Sequence, residues 1–219
     1  MFCNFSFHFS HLDALFCCFI QRVLKQLEEG DIYPIMVTGD NILTGICVAK
    51  ECNMIKTERV LIAVEIDENG NITWVDESDS IASPPLIKDK KTGELEYELA
   101  MTGSVWETLL EKDRQYALEL VEHVRVYGRC TPDNKISVIS ALIDKGYITS
   151  MCGDGGNDCG ALKTAHVGIA LSDAEASMVA PFTSIDKTIT SVVEVLREGR
   201  CALASAFASY KYMIMVRPV

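Results

Sequence analysis

The glycine-rich acidic stretch Gly153-Asp154-Gly155-Gly156-Asn157-Asp158 follows a short apolar run, 148–152, and decides the fold class. Three glycines within four positions let the backbone turn sharply at the end of a strand. Two carboxylates and one amide then point back toward one space, and hard oxygen ligands suit Mg²⁺ when phosphate oxygens complete the shell. An EF-hand calcium loop is disfavoured, because the ligands do not alternate and no closing Glu follows. The stretch predicts a magnesium and phosphate site, with a plain glycine-rich turn as the alternative.

On both sides of this stretch the chain alternates short apolar runs with helical patterns. Short, nearly all-apolar strands separated by helices predict an α/β fold, Rossmann-like, with a parallel sheet covered on both faces. In such sheets, ligands bind at the carboxyl ends of the strands. The predicted helices are 21–29, 42–52, 113–121, 132–144 and 158–164, and the predicted strands are 33–38, 124–127, 148–152 and 167–171.

The segment from about 60 to 102 interrupts this alternation. Runs 60–66 and 72–75 flank the turn sequence Glu68-Asn69-Gly70-Asn71 and predict a β-hairpin. The following residues, 76–93, are polar and contain two adjacent prolines and a charged run. We therefore predict a β-hairpin excursion over about 60–102, in which the polar part 76–93 is exposed and leaves the main sheet.

Two further polar clusters fall at predicted strand ends. Thr38-Gly39-Asp40-Asn41 places a hydroxyl, a glycine amide and a carboxylate at a helix start, where converging donors and the helix dipole favour a phosphoryl group; an ordinary N-cap is the alternative. Thr131-Pro132-Asp133-Asn134-Lys135 places a lysine in the first turn of a helix, where the dipole opposes a cation. We interpret Lys135 as bridging a phosphate and a catalytic carboxylate, against the alternative of a solvated lysine.

Composition narrows the class of protein. The 219 residues carry a net charge of −11 with 48% apolar residues, which indicates a globular chain and excludes a nucleic-acid binder by charge. The nine cysteines are odd in number and form no Cys-x-x-Cys pair, so we interpret them as reduced, cytosolic and mostly buried thiols, with a structural metal site as the alternative.

The two ends of the chain differ from its middle. Residues 1–20 are apolar and rich in Phe, but they fit neither a signal peptide nor a membrane span, since no basic residue precedes them and His8, His11 and Asp13 interrupt them. Residues 201–216 form an apolar stretch too short to cross a bilayer of about 30 Å. We expect the start of a transmembrane helix there, with an amphipathic core helix as the alternative.

The three polar clusters, in this order, resemble the later motifs of the haloacid-dehalogenase-like phosphorylation domain of P-type ATPases. The likeness covers roughly residues 21–215 and is carried by 36–41, 132–135 and 153–163. Cys159-Gly160, where most P-type ATPases have Ala-Pro, is similar to the type V pumps. Their endolysosomal polyamine-transporting subgroup is indicated by 164–168, Ser177 and 181–184, and segment 197–215 resembles the family's approach to its fifth transmembrane helix.

The resemblance implies a membrane pump that forms an aspartyl-phosphate from ATP with Mg²⁺ and transports polyamines or other cations. These residues would lie mostly on the cytosolic side of an endosomal or lysosomal membrane. It divides the chain into an atypical segment 1–20, a partial phosphorylation domain 21–185, and a helical stalk with a transmembrane start, 186–219. The resemblance also implies seven site residues. Thr38 and Gly39 would hold the phosphoryl group, and Asp40 would line the nucleotide side. Lys135 and Asn157 would be catalytic, with Lys135 neutralising charge and Asn157 supporting metal and phosphate, and Asp154 and Asp158 would be the metal residues.

One departure from the family pattern concerns the nucleophile. The family carries it in Asp-Lys-Thr-Gly-Thr on the first strand, and no such motif precedes Thr38 here. Two similar stretches, 89–93 and 186–190, have the wrong residues and the wrong order. We therefore expect a partial pump from a truncated gene model or alternative transcript, whose partners are the nucleotide-binding, actuator and membrane domains. The alternatives are a non-catalytic module that binds Mg²⁺ and phosphate, and a soluble phosphatase, which would need an Asp-x-Asp on its first strand.

Overall fold

A computed structural model describes residues 2–6, 14–57, 59–67, 72–76, 81–82, 97–154, 156–171, 178–186 and 188–216. The strands in this part of the chain are β1 Phe2–Ser6, β2 Tyr33–Val37, β3 Val60–Ile66, β4 Ile72–Asp76, β5 Ile81–Ala82, β6 Glu98–Thr102, β7 Val124–Gly128, β8 Thr149–Gly153, β9 Val167–Ala170 and β10 Phe182–Thr183. The helices are α1 Ala14–Glu29, α2 Ile42–Glu51, α3 Gly103–Lys112, α4 Arg114–Leu120, α5 Pro132–Asp144, α6 Cys159–Thr164 and α7 Thr190–Met215, and a 3₁₀ turn covers Gly156–Asp158.

All these strands form one sheet, in the order β10-β9-β8-β1-β2-β7-β6-β3-β4-β5. Every pairing from β10 to β3 is parallel, and only β3-β4 and β4-β5 are antiparallel. Because the strands from β10 through β3 run the same way, their carboxyl ends share one edge. The predicted α/β fold with a mostly parallel sheet and a C-terminal helix is confirmed.

Helices cover both faces of the sheet, and β2 shows how the sequence achieves this. Ile35 and Val37 pack in one apolar cluster with residues of α3, α4 and α5, whereas Met36 packs in another with residues of α1 and α2. All three side chains are at most 3% exposed, although neighbours along a strand point to opposite faces. An uninterrupted apolar strand is therefore the pattern that a two-sided core requires.

The β-hairpin predicted within residues 60–102 is confirmed, and the structure shows where it joins the sheet. Strands β3 and β4 pair antiparallel, as predicted. Strand β3 also pairs parallel with β6, and β6 pairs parallel with β7, so the hairpin extends the main sheet. The predicted turn at 68–71 and most of the polar segment 76–93 lie outside the described residues.

The two ends of the chain form a strand and a long helix. Residues 2–6, to which no secondary structure was assigned from sequence, form the strand between β2 and β8. At the other end, α7 packs through Val192 near its start and exposes most of its remaining length. Within the described residues, no helix combines the length and apolarity that a bilayer span requires. The division at residues 20 and 185 stays a prediction.

Candidate phosphate site

Three loops that follow β2, β7 and β8 carry the site residues predicted from sequence. Strands β2 and β7 are neighbours, and β1 alone separates β2 from β8. The loops therefore meet along a short part of the sheet's carboxyl edge, where open α/β sheets bind their ligands. Two of the three loops are also joined to each other by backbone hydrogen bonds.

The first loop is fixed by the turn at Thr38, which is only 3% exposed. The N–H of Asp40 donates to Thr38 Oγ1 at 3.1 Å, and this hydroxyl lies 3.3 Å from Asp40 Oδ2. The backbone of the turn bonds to the β7 loop: the N–H of Cys130 donates to Thr38 O at 3.0 Å, and the N–H of Arg129 donates to Asp40 O at 2.8 Å. The Thr38 turn and the β7 loop are thus one hydrogen-bonded unit.

Helix α2 begins directly after this turn, with Asn41 as its N-cap. The Asn41 side chain accepts the N–H of Leu43 at 3.0 Å, so the capping alternative weighed for this cluster holds for Asn41. The helix start lies very close to the end of β7, since a Cβ on Gly128 would stand 2.5 Å from Ile42 Cα. Only glycine allows this approach at position 128. Gly39, in the turn before the helix, is exposed.

The second loop leads into α5 and places Lys135 inside the protein. Thr131 caps the helix by accepting the N–H of Asn134 at 3.2 Å, and Pro132 occupies its first turn. Lys135 Nζ lies 2.8 Å from Asp158 Oδ1, and the two side chains are only 8% and 4% exposed. The solvated-lysine alternative is therefore wrong: the cation is buried against a carboxylate, whose charge offsets the cost of burial.

The third loop brings Asp158 to Lys135. A Cβ on Gly153 would stand 2.6 Å from Asp158 Oδ2 and 2.9 Å from Asp158 Cγ, so the absence of a side chain at Gly153 makes room for the buried carboxylate. Asp154 and Asn157 are exposed on the same loop, and Gly155 lies outside the described residues. The structure thus brings together Lys135 and Asp158, while Asp154 and Asn157 face solvent.

The residues fit a magnesium ion in a restricted way. Among the described residues, no group of three or more His, Cys, Asp or Glu side chains could hold a metal ion. Mg²⁺ does not require one, because it keeps several waters and uses one or two carboxylates beside substrate phosphates. The exposed carboxylate of Asp154 suits that mode, whereas one oxygen of Asp158 is already bonded to Lys135. Both metal assignments stay predictions.

Cys130 ties the first two loops together, and sequence reasoning missed this role. Burial raises the pKa of its thiol to about 12, although the charge of Lys135 acts in the opposite direction. The thiol is therefore neutral, and it donates a weak hydrogen bond to Gly128 O at 3.8 Å. Of the six cysteines whose side chains are described, all are free thiols; Cys52, Cys130 and Cys152 are buried, and Cys47 and Cys201 are exposed. Nothing in the sequence marks position 130, because its contact with the Thr38 turn is made by the backbone.

Comparison with known proteins finds relatives over most of the chain. No protein-family model matches the chain. It is 41% identical over 210 residues to the vacuolar cation-transporting ATPase YPK9 of Saccharomyces cerevisiae, an alignment covering 88% of this chain and 14% of the yeast protein. It is 39% identical over 212 residues to the polyamine-transporting ATPase 13A3 of Mus musculus and 36% identical over 218 residues to the probable cation-transporting ATPase 13A5 of Homo sapiens, each covering 88% of this chain and 17% of the relative.

These relatives define the class: over the residues that it shares with them, the chain belongs to the P-type ATPases. Within that family its relatives are the type V, 13A pumps. The chain spans 14–17% of the length of the curated relatives that it matches.

Proposed function

We propose that this chain forms the magnesium- and phosphate-binding half of the phosphorylation site of an ATP-driven type V pump. The buried pair of Lys135 and Asp158 carries the proposal, because it holds a cation at the carboxyl edge of a parallel sheet, beside the loop that starts at Thr38. The names of the yeast and mouse relatives point to cations, polyamines among them, as the transported substrate, and the yeast name points to the vacuole. We propose an endosomal or lysosomal membrane as the location of this pump.

In this proposal the Thr38 turn and Lys135 hold a phosphoryl group from two sides. The Thr38 hydroxyl and the Gly39 N–H donate to its oxygens, while the Lys135 ammonium offsets negative charge as that charge shifts during transfer. Asp158 keeps Lys135 aimed along the edge of the sheet, and Asp40 lines the nucleotide side. Asp154 would hold Mg²⁺, with Asn157 beside it; when bound, the ion would neutralise phosphate charge.

The chain by itself is not expected to form a phosphoenzyme. The 219 residues contain no Asp-Lys-Thr-Gly-Thr sequence, and the strand between β2 and β8 is Phe-Cys-Asn-Phe-Ser. Incubation with labelled ATP and Mg²⁺ should leave no acid-stable phosphate on the purified chain. Incorporation of label that hydroxylamine removes would reveal an acyl phosphate and reject this part of the proposal.

Phosphate binding provides the direct test. We would titrate the chain with inorganic phosphate in the presence of Mg²⁺ and follow the backbone N–H signal of Gly39 by NMR. Thr38→Val removes a hydroxyl at nearly constant volume and should weaken binding about tenfold, which corresponds to about 1.4 kcal/mol. Thr44→Val is the matched control, because Thr44 is exposed on α2. Equal affinities for wild type and Thr38→Val, or no binding to wild type at all, would contradict the proposal.

A further inference from the structure

The start of α3 packs against the loop between β7 and α5 more closely than any side chain allows. A Cβ on Gly103 would stand 2.5 Å from Asn134 Nδ2, 2.9 Å from Arg129 O and 3.1 Å from Cys130 Cα. Two of these atoms belong to the backbone and cannot rotate away. The end of β6 therefore turns into α3 at this point only because residue 103 lacks a side chain.

The atoms that face Gly103 belong to the parts of the chain that hold both sides of the phosphate site. The Arg129 and Cys130 backbone is hydrogen-bonded to the Thr38 turn. Asn134 directly precedes Lys135, whose N–H donates to Thr131 O at 3.1 Å in the same helical turn. A displacement at Gly103 would thus reach the hydroxyl side and the lysine side of the site together.

A second contact holds α3 against α5. The buried Trp106 ring donates from Nε1 to Ser137 Oγ at 2.8 Å, and this hydroxyl donates to Asn134 O at 2.9 Å. Trp106 also packs edge-on against Tyr127 of β7, with ring centroids 5.6 Å apart. Helix α3 is consequently fixed to both elements that flank the loop, and it has no freedom to retreat from an added methyl group.

We propose that Gly103 is a positioning residue for the phosphate site: its missing side chain sets the distance between the Thr38 turn and Lys135. Gly103 need not touch phosphate. The proposal rests on the proposed function for its effect on phosphate affinity, but its effect on Lys135 itself is independent of that function.

The test compares Gly103→Ala with Gly199→Ala in the full chain. Position 199 has nothing within 4 Å of an added Cβ, so it is a control for the same substitution in open space. Lysine labelled at Cε is introduced, and the Lys135 signal is assigned by its loss in Lys135→Arg. We expect Gly103→Ala to shift the Lys135 signal and to weaken phosphate binding about tenfold, and Gly199→Ala to do neither.

The outcomes separate the two proposals. If wild type binds no phosphate, the proposed function fails, and the Lys135 signal still decides the role of Gly103. A Gly103→Ala chain whose Lys135 signal matches wild type overturns the inference. If Gly103→Ala does not fold, Ser137→Ala replaces it, because it breaks the second contact without adding volume; an unchanged Lys135 signal in that variant overturns the inference equally.

Discussion

Replacing Asp158 by Asn removes the charge that faces Lys135 and keeps the shape of the side chain. The two groups are 2.8 Å apart, and their side chains are 8% and 4% exposed. At an effective dielectric constant near 20, their gross attraction at this distance is roughly 6 kcal/mol, part of which offsets the cost of burying both charges. Leaving the charged lysine beside a neutral amide should lower the free energy of unfolding by about 3–5 kcal/mol.

The double variant Lys135→Met, Asp158→Asn measures the interaction energy of the two charges separately from the contribution of each residue. Removing both charges leaves no charge buried at either position. The free energy of unfolding of the double variant should therefore fall by at least about 2 kcal/mol less than the sum of the two single losses. Urea unfolding followed by tryptophan fluorescence and circular dichroism measures each free energy, since Trp74 and Trp106 are both buried.

The exposed pair of Arg114 and Asp144 is the control. Its atoms are 2.6 Å apart, which is closer than in the buried pair, but its side chains are 70% and 44% exposed. Arg114→Met and Asp144→Asn should each cost less than about 1 kcal/mol and show little coupling. Burial rather than distance is thus predicted to decide the energy. Additive losses at Lys135 and Asp158, or equal coupling in the two pairs, would refute this reasoning.

Three further predictions concern other groups. Tyr127 is fully buried, and its hydroxyl has no hydrogen-bond partner among the described residues, so Tyr127→Phe should leave the free energy of unfolding unchanged or raise it by about 1 kcal/mol; a clear loss would contradict this. With its pKa at about 12, Cys130 should resist iodoacetamide in the folded chain while the exposed Cys47 reacts, as peptide mass spectrometry can measure; equal labelling would be inconsistent with the fold. Burial alone would raise the pKa of Glu122, but hydrogen bonds, that from Tyr147 foremost, hold this pKa below the ordinary value of 4.5. The ionised carboxylate therefore stabilises the fold above pH 4.5, and this contribution is lost as the pH falls through the lower pKa of the folded state. Between about pH 6 and about pH 3, Glu122→Gln should consequently lose less stability than wild type in urea titrations.

The candidate site was predictable because its residues lie at strand ends. Glycines and acidic residues after an apolar run can only be a turn, and α5 occupies the predicted range 132–144 without change. The identity of the buried partner was not predictable. Lys135 and Asp158 are 23 residues apart and belong to different loops, so their pairing depends on the order of the strands and on the missing side chain at Gly153.

The start of α3 shows a second limit of sequence reasoning. Helix α3 begins with Gly103 and has no side-chain cap, which is the opposite of the usual signal for a helix start. Its position is determined by the contacts of Trp106 and by the close approach at Gly103. A residue that a propensity argument treats as a weak point is here a requirement of packing, because the neighbouring backbone leaves no space for a Cβ.

The strand Phe2–Ser6 is placed by its two neighbours in the sheet. Residues 5–10, Phe-Ser-Phe-His-Phe-Ser, alternate between apolar and polar, which is typical of a strand. Strands β2 and β8 each pair with β1 in parallel register, with Phe5 opposite Met36 and Cys152. Without a strand between them, two buried and otherwise well-packed strands would each leave a row of unpaired N–H and C=O groups. The requirement to pair those groups comes from both neighbours at once. The local pattern favours a strand, and the pairing on both sides places these five residues between β2 and β8.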